Sequence, residues 1–170
     1  CQSSASVTIS QPVVLSIVVG SQTNVSCNGD TNGTACITVT GGSPFYNYTW
    51  YPLGIASGTC AFNLPAGTYV ATVMDVMGCE DSTNVIITEP AALVASITSI
   101  TNATCSMANG SAAVTATGGV APYTFLWNDT LSQITQTAIG LSAGTYSCQV
   151  TDSNGCTAVV SAVISNVGPA

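Results

Sequence analysis

The sequence predicts an all-β protein assembled from tandem sandwich modules. Three observations carry that reading. First, the chain repeats itself: GGSPFYNYTW (Gly41 to Trp50) is answered by GGVAPYTFLW (Gly118 to Trp127), and LPAGTY (Leu64 to Tyr69) by LSAGTY (Leu141 to Tyr146). VMDVMGC (Val73 to Cys79) and VTDSNGC (Val150 to Cys156) follow in the same order, as do VIITEP (Val85 to Pro90) and AVISNV (Ala162 to Val167). The period is about 77 residues, with one inserted residue near Asp30, and such a period marks a repeat array. Second, β-branched and polar residues alternate with period two between Gly/Asn/Asp turns, the signature of short half-buried strands. Third, Trp and Tyr recur at matched positions of both copies, as a shared scaffold requires.

The elements follow in chain order. Residues 1–12 (CQSSASVTISQP) match Cys79 to Pro90 (CEDSTNVIITEP), so they are read as the tail strand of a preceding repeat. Residues 13–90 form repeat 1 and residues 91–170 repeat 2. Strands are expected at Ile37 to Thr40, Thr68 to Asp75 and Asn84 to Thr88, and at Ala113 to Thr117, Thr145 to Asp152 and Val159 to Ser165. No helical period is sustained beyond a turn or two. Trp50 and Trp127 fall where an immunoglobulin-like sandwich buries its central tryptophan. Tyr69 and Tyr146, each just after Ala-Gly-Thr, fall where that fold places its tyrosine corner. These four are expected in the core, in preference to a sugar-stacking platform. Tyr51 is opposite in phase to Trp50, faces outward, and is the candidate for ligand contact.

Charge excludes several functions. Of 170 residues none is Lys, Arg or His, seven are acidic, and the net charge is -7. A chain without cations cannot neutralise phosphates, so nucleic acid is not an expected partner. It has no polybasic attraction to anionic lipid. It has no His or Lys for proton transfer near neutral pH, and nothing to activate a Ser or Cys nucleophile. A glycosidase carboxylate pair is not indicated either, because the acids sit in turns and the copies share only one. Hydrophobic residues make up 46% and charged residues 4%, the reverse of a disordered composition. The greasiest run, Val13 to Val19, is far short of the roughly 20 residues of a membrane span, so no membrane insertion is expected. A secretory leader needs a basic region, so either it has been removed or the chain is a window on a longer one.

At these positions the chain resembles the SprB-repeat family of Bacteroidota surface adhesins. The resembling features are Cys27-Asn28-Gly29, the Gly-Gly turn followed by a Pro/Tyr/Trp strand, Leu-Pro-Ala-Gly-Thr-Tyr, Asp-x-x-Gly-Cys, and the closing Ile-Thr-Glu-Pro. Repeat 2 departs at its start (CSMANG for CNGDTNG) and at its end, where Asn166-Val167 replaces Glu-Pro. The resemblance covers essentially the entire chain. It implies long, repetitive, secreted proteins on the outer surface, often exported by type IX secretion, some serving adhesion and gliding motility. The family has no catalytic residues to carry over.

Eight cysteines with no His and no CxxC pair indicate disulfides and an oxidising compartment rather than zinc. Cys27 and Cys79, and at matching positions Cys105 and Cys156, are each about 50 residues apart, which suggests one staple per repeat. Cys36 and Cys60 occur in repeat 1 alone, Ala113 and Thr137 replacing them, which hints that they pair, although their strand phases look opposite. Cys148 is in phase with Tyr146 and Val150 and is expected as a buried free thiol; a bond to another chain is the alternative. Cys1 belongs with Cys79 and Cys156, so its partner is expected in an upstream copy; a lipidated N-terminus is the competing idea.

Asp75 and Asp152 share one turn position, explained by an Asx-type turn without a metal. Six Asn-x-Ser/Thr sequons (at Asn24, Asn32, Asn47, Asn102, Asn109 and Asn128) and the Asp-Ser/Thr runs at Asp81 and Asp129 make glycosylation conceivable without assigning a site. The expectation is therefore an extracellular, non-enzymatic rod or filament for cell-surface adhesion, without cofactor or metal, whose partners are further copies of itself. A carbohydrate-binding module of a secreted protein, using Tyr51, and a lipid-anchored two-domain protein are the alternatives.

Overall fold

The computed structural model describes residues 3–8, 11–53 and 58–168. Cys1 and its expected bond lie outside them. Two compact units emerge: one formed by Cys1–Asn24 and Thr31–Thr88, the other by Val25–Asp30 and Glu89–Ala170. The segment Val25–Asp30, which the repeat frame assigns to repeat 1, thus belongs to the second unit.

The first unit holds β1 (Ser16–Thr23), β2 (Gly33–Thr40), β3 (Asn47–Tyr51), β4 (Cys60–Leu64), β5 (Gly67–Met74) and β6 (Glu80–Ile87). They form two antiparallel three-stranded sheets, β1-β2-β4 and β3-β5-β6. The second unit holds β7 (Val94–Thr101), β8 (Ala103–Thr104), β9 (Gly110–Thr117), β10 (Thr124–Trp127), β11 (Thr137–Leu141), β12 (Gly144–Thr151), β13 (Thr157–Ile164) and β14 (Asn166–Val167). Its sheets β7-β9-β11 and β10-β12-β13 repeat the same plan, and β8 and β14 add a short parallel pair. Each unit is an immunoglobulin-like sandwich, three strands on three.

Period-two alternation explains the layering. On β5, Tyr69, Ala71 and Val73 are buried while Val70 and Thr72 are only partly covered; on β9, Ala112 and Val114 point inward. One core of the second unit unites Val114, Trp127, Leu141, Cys148, Val150 and Ile164, drawn from both sheets. Bulges in register at Gly20 on β1 and Thr98 on β7 twist each first strand at the same place.

The Gly-Gly turns are steric necessities. Gly41 and Gly42 have φ of 71° and 64°, and Gly118 and Gly119 have 70° and 57°, a left-handed region that costs any other residue. A Cβ on Gly41 or Gly118 would also run into the carbonyl oxygen of Val14 or Ala92. Close approach lets Gly42 N–H donate to Val13 O and Gly119 N–H to Ala91 O, both at 2.8 Å. Each turn is thereby fastened to the chain entering the first strand of its unit.

Candidate functional site

Three groups of side chains recur in both units and define what the surface and joints can do. The first is centred on the aspartate that ends β5 or β12. Asp75 Oδ1 accepts from Met77 N and Cys79 N, and its Oδ2 from Ser43 N, each at 2.9 Å. Asp152 Oδ1 accepts from Asn154 N and Cys156 N, and its Oδ2 from Val120 N, again at 2.9 Å. One carboxylate thus ties its own turn to the loop beyond the Gly-Gly pair. The Ser43 and Cys79 N–H groups hold the Asp75 carboxyl below the usual carboxylate range. Burial pushes Asp152 upward, but the N–H groups of Val120, Cys156 and Asn154 outweigh it and its pKa is lowered too. These oxygens are committed to main-chain donors. Among the described residues no cluster of three or more His, Cys, Asp or Glu could hold a metal.

The second group is aromatic. Trp50 and Trp127 are fully buried, their indole N–H groups donating to Gly58 O (3.2 Å) and Thr135 O (3.0 Å). Tyr69 is buried and Tyr146 half-buried against the core. Their hydroxyls donate four residues back, to Pro65 O (2.8 Å) and Ser142 O (3.1 Å), which is tyrosine-corner geometry. Sequence reasoning missed a further pair: Tyr46 and Tyr123 hydroxyls donate to the Gly41 and Gly118 carbonyls at 2.6 Å. Their equal offset from the Gly-Gly turns was the available signal. Tyr51 is 71% exposed on edge strand β3, and Asn128 replaces it in the other copy.

The third group is the cysteines, and here the expected staples are corrected. Cys27 bonds to Cys156, 129 residues away, not to Cys79, and Cys105 does not bond to Cys156. Cys79 and Cys105 are free and exposed. The reason is the path of Val25–Asp30, which runs in the second unit and carries Cys27 to within 5.7 Å (Cα–Cα) of Cys156. Hydrogen bonds fix the segment there: Asn154 Nδ2 donates to Ser26 O (2.8 Å), Gly29 N to Glu89 Oε2 (2.6 Å) and Asn28 Nδ2 to Pro90 O (3.1 Å). Cys36 and Cys60 are bonded; they are register partners across β2 and β4, so they share a face, contrary to the phase argument. Cys148 is buried and free, and burial pushes its thiol pKa up against an opposing contribution from the Leu126 backbone.

The sequons also acquire structural roles. Asn24 Oδ1 accepts from Thr88 N and Asn102 Oδ1 from Ser165 N, both at 3.0 Å, so one asparagine in each repeat clasps the end of its last long strand. Asn109 and Asn128 accept from Thr104 N and Ser147 N. Asp129 is buried and accepts from Leu131 N, Gln133 N and Gln133 Nε2. Burial raises its pKa, but the Gln133 amides prevail and lower it.

Fold and recurrent side chains together define a tandem repeat protein of immunoglobulin-like sandwiches. The family model of the SprB repeat matches residues 19–54 and 97–131, so the chain is similar to that repeat at two places. No curated protein matches the chain. Among solved structures it is similar to one titled "Structural basis for Dscam isoform specificity", at 16% identity and TM-score 0.40 over 92% of this chain and 47% of that one. The N-terminal eight Ig domains of DSCAM isoform 1.30.30 match at 14% identity and TM-score 0.47, over 92% and 25%. The N-terminal four Ig domains of Dscam1 isoform 9.44 match at 15% and 0.43, over 94% and 47%. The chain spans about half the length or less of these structures. So loose a likeness carries no weight, and the sheets themselves establish the fold.

Proposed function

We propose that this protein is a non-enzymatic element of a stiff extracellular rod or filament that serves cell-surface adhesion, including adhesion during gliding, in association with further copies of itself. The observation that carries the reading is the duplicated unit: two copies of one sandwich, each with its own core, on a chain with no cation and a net charge of -7. A surface of Thr, Ser and Asn with few charges offers weak repulsion to a neighbouring copy. The turn carboxylates accept from main-chain N–H groups and no His or Lys is present, which supports a mechanical rather than a catalytic role. Pro12 and Pro90, at the borders of the repeats, limit bending there. Electron microscopy of the native protein tests this: elongated particles are expected, and compact globular particles would sink it.

A second reading is favoured by one observation, the 71% exposure of Tyr51 on an edge strand. A carbohydrate-binding module would use that ring as a stacking surface. A glycan array separates the readings: a signal abolished by Tyr51→Ala supports sugar binding, and no signal leaves adhesion to other surfaces.

A further inference from the structure

We infer that Cys79 and Cys105 are the two open halves of a disulfide joint that links each repeat to the next, and that each takes as partner a cysteine of another copy of the same repeat. The joint deepens the array reading and rests on it.

The cysteines common to both repeats fall into two positions. Cys27 and Cys105 stand at the first, between the opening strands; Cys79 and Cys156 stand at the second, after the Asp-x-x-Gly turn. Among the described residues one bond joins the two positions, and it runs from the first position of repeat 1 to the second position of repeat 2. Both members of that bond are half-buried, whereas Cys79 and Cys105 are exposed and unbonded. If the rule is "first position to the second position of the following repeat", Cys79 must receive from a repeat before it and Cys105 must reach a repeat after it. A rule confined to one repeat would have joined Cys27 to Cys79, and it did not.

The clefts around the two second-position cysteines supply independent support. In the second unit, Ala92, Leu93, Cys156 and Thr157 line a cleft whose other wall is the segment bearing Cys27, Asn28 and Asp30. In the first unit, the equivalent residues Val14, Leu15, Cys79 and Glu80 line a cleft of about 250 Å³. Four equivalent positions thus line a cleft beside Cys79 and beside Cys156, and in the second unit the segment around a first-position cysteine forms the other wall. In each bond formed, two thiols give two protons and two electrons to an external disulfide, a small one or that of an oxidoreductase. That oxidant leaves as two thiols.

The test uses the chain with Cys1→Ser, so that one second-position thiol remains open, oxidised with glutathione disulfide. Non-reducing gels should show a ladder of whole-number multiples that collapses with reductant, with Cys79–Cys105 as the cross-linked peptide. Adding Cys79→Ser or adding Cys105→Ser should each leave monomers. Mixing those two variants should give a dimer that grows no further, about ten-fold above either homodimer. A parallel arm lengthens the chain by a further copy of residues 91–167; Cys105 should then bond within the chain to the added counterpart of Cys156. The ladder without the internal bond assigns the joint to separate chains, and the internal bond without the ladder assigns it to one polypeptide. Homodimers as abundant as the mixed dimer, or a Cys79–Cys105 bond inside one chain, would overturn the proposal, as would failure of both arms. Elongated native particles with titratable Cys79 and Cys105 thiols would remove the joint and leave the array reading intact.

Discussion

The two sandwiches share a set of side chains that service the main chain and differ at positions where side chains pair with each other. Asp75 and Asp152 make the same three bonds at the same 2.9 Å; Trp50 and Trp127, Tyr69 and Tyr146, and Asn24 and Asn102 each satisfy equivalent backbone groups. The cross-strand position held by the Cys36–Cys60 bond in the first unit is Ala113 opposite Thr137 in the second, and buried Cys148 replaces Ala71. An unsatisfied buried backbone group costs more than a changed pair gains, so the loops with special geometry fix the fold while the sheet faces stay free to vary.

The comparison is broken most severely at the tryptophans. Trp50→Ala and Trp127→Ala should each lower the stability of their own unit by about 3–5 kcal/mol, read as one displaced transition in calorimetry. Equal displacement of both transitions would show that the units do not melt separately. Next in size, Cys36→Ala with Cys60→Ala should cost the first unit about 3 kcal/mol through the loop they close. The converse sharpens the contrast: Ala113→Cys with Thr137→Cys, register partners on β9 and β11, should form the missing staple and raise the second transition. Tyr69→Phe and Tyr146→Phe should each cost about 1 kcal/mol, with the more buried Tyr69 the more sensitive.

Acid should act on both units through the shared aspartate turn, and on the second unit also through Asp129, whose pKa is lowered as well. The pKa values of Asp75 and Asp152 are lowered in the folded state. Their contribution is therefore complete above the ordinary Asp value of about 3.9 and is lost as pH falls through the lowered folded values. Chemical denaturation from pH 7 downward should be flat in this respect until about pH 4 and then decline, and Asp75→Asn with Asp152→Asn should flatten the decline. Smallest of all, Tyr51→Ala should leave stability within about 0.5 kcal/mol, as expected of an exposed side chain.

Much of this was legible in the sequence because the informative residues are large or conformationally special. The Gly-Gly pairs, the two tryptophans, Ala-Gly-Thr-Tyr and Asp-x-x-Gly-Cys each announce a backbone need, and two copies in register make chance agreement untenable. The strands β1 and β7 leave a weaker trace, because runs such as Val13 to Val19 lack the alternation that marks a half-buried strand. The pair β8–β14 is two residues long and leaves no periodic trace. The pairing of Cys27 is hidden from the sequence for a deeper reason. Spacing repeats identically whether Cys27 bonds within its repeat or to the next, so homology alone cannot choose, and the path of Val25–Asp30 decides.

The aspartate turns have a consequence for the water this protein can live in. Ion pairs weaken in brine because mobile ions crowd between the partners. Here the carboxylates are gripped by short amide contacts, and Lys, Arg and His are absent, so dissolved salt finds no side-chain attraction to loosen and only mutual repulsion to quiet. The fold should hold as well in seawater as in a dilute stream.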